Sequence, residues 1–130
     1  MKVLSLSLCL GASGAIAAEE NPPFQVPDNV AVQSDVVYST VANVSVLGDL
    51  YLPKTGGGPF PAVVYVHRGG KPTTKLGGTK ASFRRQAAYM ATKGFVGLSI
   101  DYRFLDNPGY PACISDAKAA VRWLRANAAT

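Results

Sequence analysis

A pair of glycines directly after an apolar run is the first feature of this sequence that could do chemistry. Gly69 and Gly70 follow Val66-His67-Arg68. Residues without a Cβ let backbone N–H groups point into a cleft, where they can stabilise an oxyanion during acyl transfer. A glycine pair after a strand also serves in any tight turn, so by itself this pair predicts only a loop.

The groups that would attack a substrate are not found beside this loop. The 130 residues contain no G-x-S-x-G stretch, which would mark a nucleophilic serine on a sharp strand-to-helix turn. His67 is the single histidine, and its place next to the glycines assigns it to the loop rather than to proton transfer. We therefore expect no catalytic triad in this chain, and neither a metal nor a cofactor.

Two alternating segments come first among the elements that would position the loop. In the first, Val30, Val32, Val36 and Tyr38 alternate with the polar Gln33 and Asp35. In the second, Val44, Val46, Leu50 and Leu52 lie opposite Ser45 and Asp49. This period predicts two neighbouring antiparallel strands with one face in water.

Two later runs have no alternation, and a helical pattern separates them. Residues 62–66 and 95–100 are nearly continuously apolar, which indicates central strands covered on both faces. Between them, Phe83, Ala87 and Met90 recur at helical spacing over residues 81–93, with Gly94 where a C-terminal cap belongs. Strand, helix and strand predict a parallel pair with a right-handed crossover.

The last segment predicts an amphipathic helix that packs on the sheet. The residues expected to face the sheet are Ile114, Ala117, Val121, Leu124 and Ala128. Together these elements predict an α/β fold: two antiparallel leading strands, then alternating buried strands and helices. Because a crossover helix should lead to a further strand, we expect only the N-terminal half of such a fold.

The first residues have the order of a secretory signal peptide. Lys2 is followed by the apolar residues 3–10 and by Ala15-Ile16-Ala17, a small-residue cleavage site. We expect residues 1–17 to be removed, residues 18–29 to form an extended lead-in, and residues 30–130 to form the domain. The protein would then be secreted or periplasmic without a stable membrane anchor, and Cys113 would be left without a disulfide partner.

Basic residues cluster in the middle of the chain. The formal net charge is +5, which is too small to indicate nucleic-acid binding. Between Asp49 and Asp101 there is no acidic residue, while eight basic residues fall there: Lys54, Arg68, Lys71, Lys75, Lys80, Arg84, Arg85 and Lys93. A solvated surface explains this best, and the alternative is a non-catalytic secreted module that binds acidic polysaccharide.

Several separated motifs occur together in one order along the chain. They are residues 49–53, residues 60–67, Asp101-Tyr102-Arg103, Tyr110-Pro111-Ala112 and residues 116–128. In this combination the chain resembles the secreted α/β-hydrolase esterases. It is most similar to the bifunctional feruloyl and acetylxylan esterase-like family, related to the hormone-sensitive-lipase group.

The resemblance implies roles for individual residues. In the family the loop reads His-Gly-Gly-Gly and then an aromatic residue, so Gly69 and Gly70 match the second and third glycines of an oxyanion hole. Arg68 replaces the first glycine and Lys71 stands at the aromatic position. His67 would order the loop. The resemblance also implies that Asp101, Tyr102, Arg103 and Asp116 fix loops rather than catalyse.

The resemblance also implies a substrate and the state of this chain. The substrate of the complete protein would be a small ester or an acylated polysaccharide, hydrolysed with a serine nucleophile. The family places that serine shortly after the last helix, beyond Thr130, so we expect an inactive chain, or an incomplete gene product without a function. The strand at residues 62–66 would then expose an edge and promote self-association.

Overall fold

Four of the strands form a mixed sheet with a helix on each face. The computed structural model describes residues 23–68, 76–77, 79–103 and 109–128. The strands are β1 (Val30–Val41), β2 (Val44–Pro53), β3 (Ala62–Val66), β4 (Leu76–Gly77), β5 (Val96–Ile100) and β6 (Tyr102–Arg103). A 3₁₀ turn (Lys80–Phe83) leads into α1 (Arg84–Thr92), and α2 (Gly109–Ala126) comes last.

The order of the main sheet is β1-β2-β5-β3, and β4 pairs with β6 in a separate ladder. β1 pairs with β2 and β2 with β5 in the antiparallel sense, whereas β3 and β5 are parallel. The predicted α/β fold, with two antiparallel leading strands and a parallel pair joined through a helix, is therefore confirmed. β3 lies at the edge of the described sheet, and its middle residues are only half-buried. The predicted full burial is thus found for β5, whereas β3 is half-buried in its middle and exposed at its ends.

The core is divided between the two faces of the sheet. On one face, Leu98 and Ile100 of β5 are fully buried with Ala120 of α2. On the other face, α1 presents the small residue Ala87, and a Cβ at Gly97 would lie 3.0 Å from the Ala87 Cβ. Helix α1 therefore packs directly on the backbone of β5, which only a glycine at that position allows.

β2 is buried on both faces, which corrects the expectation of one wet face. Leu50 packs in the cluster beside α2, and its neighbour Tyr51 packs in the cluster beside α1. Asp49, predicted to face water, is only 9% exposed. The reason is that α1 covers the side of the sheet opposite to α2, and periodicity within β2 does not report this.

At a bulge in β1, the apolar side chains change from one face of the sheet to the other. Val30 lies in the cluster beside α1, whereas Tyr38 lies in the cluster beside α2, although both stand at even positions. The register shifts between Gln33 and Val36, and Asp35 there has φ of +57°. One inserted residue moves the side chains that follow it to the opposite face, and a second register shift comes between Val37 and Ser39. The predicted strand is correct, but its apolar residues pack in two core clusters on opposite faces of the sheet.

The helices differ from expectation in rotation rather than in position. Gly94 follows α1 with φ of +84°, the left-handed C-cap predicted for it. In α2, Ile114 and Val121 are exposed, while Asp116 and Ala120 are buried. The predicted stripe is therefore only partly correct: Ala117 and Leu124 pack against the core, whereas Asp116 and Ala120 are buried in place of Ile114 and Val121.

The predicted signal peptide lies outside the described residues, so that part of the domain division stays a prediction. Within the ranges that the structure describes, no helix combines the length and apolar character needed to cross a membrane. Cys113 is a half-buried free thiol.

Candidate active site

The candidate site lies where the two parallel strands end. Val66 of β3 pairs with Ile100 of β5, so the residues that follow, His67 and Asp101, emerge at the same edge of the sheet. Ligands of open α/β sheets bind outside the carboxyl ends of the strands. The edge that carries the predicted glycine loop is therefore the edge where binding is expected.

His67 is held rigidly at this edge. It is 4% exposed, and its ring stacks on Tyr102 with centroids 4.5 Å apart. The Tyr102 hydroxyl donates to the His67 carbonyl at 2.7 Å. Burial, together with nearby Cys113, raises the pKa of Tyr102, which keeps this donor protonated. Both the ring and the backbone of His67 are thus fixed by one neighbour.

The His67 imidazole leaves one nitrogen unused. Nδ1 lies 3.0 Å from the Arg68 carbonyl oxygen, which can only accept, so Nδ1 carries the proton of this hydrogen bond. Nε2 is buried and has no hydrogen-bond partner in the described part of the chain. In the neutral ring Nε2 is then an acceptor facing inward, and His67 is not placed as a solvent-exposed general base.

Asp101 holds the start of the 3₁₀ turn. Its Oδ1 accepts from the Lys80 N–H at 2.7 Å, and its carbonyl accepts from the Tyr38 hydroxyl at 2.5 Å. Burial raises the pKa of Asp101, and the Lys80 N–H and the Lys80 charge offset this only in part. The carboxylate is therefore engaged in capping the turn.

Arg103 and Asp116 form a two-pronged ion pair. Arg103 Nε lies 2.9 Å from Asp116 Oδ2, Nη2 lies 2.6 Å from Oδ1, and the Arg103 N–H donates to Oδ2 at 2.9 Å. Asp116 is 1% exposed, and its hydrogen bonds raise the pKa of Arg103. This pair fixes α2 to β6.

Three consecutive residues thus tie several elements together. The segment between β3 and the 3₁₀ turn before α1 begins at His67 and ends at Lys80. Tyr102 donates a hydrogen bond to His67, and Asp101 accepts one from Lys80. β6 also pairs with β4, which lies within the crossover. Arg103 then fixes α2. The arrangement stabilises the segment that connects β3 to α1 at both ends.

Not every predicted site residue can be placed. Gly69 and Gly70 lie outside the described residues, so the oxyanion-hole assignment stays a prediction. Arg68 is exposed, and its described contact is the carbonyl that accepts from His67. The structure brings His67, Asp101 and Tyr102 together.

The sequence analysis missed a second polar cluster at this edge. Lys80 Nζ lies 2.5 Å from Asp49 Oδ1 and 3.1 Å from Asp35 Oδ1. Asp49 looked like an ordinary outward residue, and no local spacing joins residues on β1, β2 and the crossover. The only sign in the sequence was that the stretch between Asp49 and Asp101 has basic residues but no acidic ones, so a basic residue there would have to pair with a carboxylate outside it.

Ser99 is the serine nearest to a nucleophile motif among the described residues, since Gly97-Leu98-Ser99 gives the first three positions. It is 1% exposed within β5, and its hydroxyl donates to the Lys80 carbonyl at 2.7 Å. A hydroxyl fixed in a central strand cannot attack a substrate at the sheet edge. The described residues also include no group of three side chains able to hold a metal ion.

Most of the described basic residues between Asp49 and Asp101 are exposed: Lys54, Arg68, Arg84, Arg85 and Lys93. Lys80 is paired with two carboxylates, as described above. Arg84 and Arg85 place their guanidinium groups 5.3 and 5.6 Å from the ring centre of Phe24. The acidic-polysaccharide alternative stays a prediction.

A cavity of about 920 Å³ lies away from this edge. It is lined by the first residues of β3 and β5, Ala62 and Val96, and by Phe60 and Trp123. Because it meets the strands at their amino ends, it is separate from His67 and is not the candidate site.

Comparison with known proteins decides the family. The family model BD-FAE matches residues 48–130, which include His67, Lys80, Asp101 and Tyr102. The chain belongs to the BD-FAE family. It shares 32% identity over 110 residues with carboxylesterase NlhH of Mycobacterium tuberculosis, covering 85% of this chain and 33% of that protein.

Solved esterase structures show the same α/β-hydrolase architecture. Thermogutta terrifontis esterase 2 phosphorylated by paraoxon is 32% identical, with a TM-score of 0.60, over 84% of this chain and 40% of that chain. A bacterial heroin esterase, at 22% identity, shares the fold with a TM-score of 0.67 over 83% of this chain and 33% of that one. This BD-FAE member spans about a third of the length of the curated relatives it matches.

Proposed function

We propose that this chain supplies the oxyanion-binding part of a carboxylic-ester hydrolase. The observation that carries the proposal is the fixed position of His67, whose ring and carbonyl are both held by Tyr102 at the carboxyl ends of two parallel strands. A loop that starts from so rigid a residue can present backbone N–H groups without reorganisation. Donors fixed in this way stabilise developing charge more effectively than mobile ones.

In the proposed reaction, the N–H groups of Gly69 and Gly70 donate to the oxygen of the tetrahedral intermediate. The attacking serine is not among these 130 residues, so we expect the polypeptide alone to hydrolyse no ester. Arg68 retains the backbone N–H that a glycine would offer, and its side chain is exposed. We assign a small ester or an acylated polysaccharide as the substrate class, acted on outside the cytoplasm after removal of residues 1–17.

Support for the ester class comes from the relatives. NlhH is named a carboxylesterase, and Thermogutta terrifontis esterase 2 has been solved with butyrate bound. Both align with most of this chain, so the part they share includes β3 and the residues after it. A short acyl ester such as p-nitrophenyl butyrate is therefore the first substrate to test.

A chimera tests the proposal. Residues 23–130 replace the matching N-terminal segment of Thermogutta terrifontis esterase 2, so that the rest of an esterase supplies the groups absent here. We expect turnover of p-nitrophenyl butyrate by the chimera and none by the isolated chain. A chimera that melts cooperatively but has no turnover contradicts the proposal, as does turnover by the purified chain alone.

A matched pair of variants tests the backbone donor in the same chimera. Gly69→Pro removes the N–H, whereas Gly69→Ala keeps it. Loss of one oxyanion donor lowers kcat by about 10²–10³-fold. We expect the proline variant to lose at least that factor relative to the alanine variant, and equal kcat values for the two would contradict the assignment.

A further inference from the structure

The outer side of α1 carries a row of exposed basic and aromatic residues. The helix buries its alanines against the sheet, so its opposite side faces solvent. Arg85, Tyr89 and Lys93 recur there at intervals of four residues, and these three residues form the α1 row. Arg85 and Lys93 are exposed, and Tyr89 between them is 60% exposed. At a rise of about 1.5 Å per residue the row is about 12 Å long, which is enough to contact more than one unit of a polymer.

Phe24 holds the arginine end of the α1 row. The guanidinium carbons of Arg85 and its neighbour Arg84 lie 5.6 and 5.3 Å from the centre of the Phe24 ring. Phe24 itself packs against the buried cluster beneath α1, so this ring is fixed by the core. Guanidinium groups that rest on a fixed ring have less freedom to lose on binding an anion than unsupported side chains have.

The lysine end of the row is open to an anion. Lys93 Nζ lies 5.4 Å from the centre of the Tyr89 ring, and a contact of this kind between exposed groups is weak enough to be exchanged for a carboxylate. Over the ranges that the structure describes, neither Arg84 nor Lys93 forms an ion pair with a carboxylate. The sequence places no acidic residue on α1 or between it and Asp101. The positive charge of this surface is therefore not neutralised from within the helix.

The chemistry of the row distinguishes among anionic partners. A helix that inserts into a membrane surface needs an exposed apolar side, and α1 turns its apolar side to the sheet. Single-stranded nucleic acid is bound by several aromatic rings on which successive bases stack, whereas the α1 row has one exposed ring. A uronic acid combines a carboxylate, which guanidinium and ammonium groups bind, with a sugar ring whose C–H faces pack on an aromatic side chain.

We propose that the α1 row, with Arg84 beside it, binds a polysaccharide that carries uronic acids. The guanidinium and ammonium groups pair with carboxylates of the polymer, and the Tyr89 ring packs against one of its sugar rings. No bond is made or broken at this surface. The inference goes beyond ester hydrolysis and does not depend on it, because binding here needs neither a nucleophile nor an oxyanion hole.

Titration of the chain with polygalacturonate at low ionic strength tests the charged residues. Arg85→Gln combined with Lys93→Gln should raise Kd at least about fivefold, because each exposed ion pair contributes a few-fold in affinity. The matched control is Lys118→Gln combined with Arg122→Gln, two exposed basic residues on α2, which removes the same charge and should leave Kd nearly unchanged. Equal weakening by the two double variants would show that only net charge matters and would overturn the inference, as would a parent chain that does not bind.

Variants of Tyr89 test the ring. Tyr89→Ala should weaken binding about threefold or more, and Tyr89→Phe should retain it, because the ring face and not the hydroxyl packs against the sugar. Methyl-esterified polygalacturonate keeps the sugar backbone without the carboxylates and should not bind. Equal affinity for this neutral polymer, or equal Kd values for the alanine and phenylalanine variants, contradicts the proposal. Tighter binding to phosphatidylglycerol vesicles than to polygalacturonate would assign the row to a membrane surface and overturn it as well.

Discussion

The ion pair between Arg103 and Asp116 should be strongly asymmetric in its effect on stability. Asp116 is 1% exposed and accepts from the Arg103 backbone N–H and from two side-chain nitrogens. Arg103→Met removes the side-chain donors and leaves a carboxylate that cannot reach water. Removing one partner of a buried pair in this way costs about 3–5 kcal/mol.

The opposite substitution should cost less. Asp116→Asn keeps an oxygen that can accept from the Arg103 N–H, and the Arg103 side chain, 27% exposed, can turn toward water. Losing only the charge-assisted contribution to the Arg103–Asp116 hydrogen bonds costs about 1–3 kcal/mol. In the double variant no charge is left unpaired, so its cost should stay near that of Asp116→Asn. The two single effects are then non-additive by at least about 2 kcal/mol.

Urea denaturation followed by fluorescence measures these differences. Trp123 is the single tryptophan, and it packs against the core cluster beneath α2. Dilute protein should be used, because association adds to apparent stability. Arg122→Met, an exposed arginine on the same helix, controls for loss of charge and should change the free energy of unfolding by less than about 0.5 kcal/mol. If Asp116→Asn costs as much as Arg103→Met, or if the two effects add, the reasoning is refuted.

Three further outcomes are expected. The raised pKa values of Lys80 and Tyr38 mean that the folded chain holds these protons more tightly, so stability is present below about pH 10 and falls above it, by at most about 1.4 kcal/mol per pH unit for each group; urea midpoints that stay level from pH 9 to 12 would argue against this. Gly97→Ala should destabilise by about 1–3 kcal/mol because its Cβ meets Ala87, whereas Gly57→Ala, which has open space, should not; equal urea midpoints for the two would count against the close packing. If the edge of β3 drives self-association, Val66→Lys should reduce the increase of mass with concentration that sedimentation measures. A parent chain that is strictly monomeric would contradict self-association through this edge.

Much of the fold could be predicted because its signals are local. Alternation of apolar residues located β1 and β2, continuous apolar runs located β3 and β5, and Gly94 marked the end of α1 with a left-handed residue. Period, run length and backbone freedom are properties of a few neighbouring residues. They determine the order and type of elements whatever lies around them.

The candidate site was predicted in part for the same reason. The place of His67 after a buried strand and before glycines can be read directly from the sequence, as can the motif Asp101-Tyr102-Arg103. Their partners could not be read, because the contact of Tyr102 with the His67 carbonyl joins residues 35 positions apart. Lys80 and Asp49 are 31 positions apart, and their pairing depends on the bulge and the sheet order together.

The sequence by itself therefore determined which elements form and in what order they occur. The tertiary structure alone decided which face each element presents. In β1, Val30 and Tyr38 lie in opposite cores on either side of a bulge, and in α2, Asp116 is buried and paired with Arg103 although the apolar pattern placed it outside the stripe. The physical reason is that orientation is set by packing and by pairing of buried charge between distant segments, and periodicity within one segment carries no information about either.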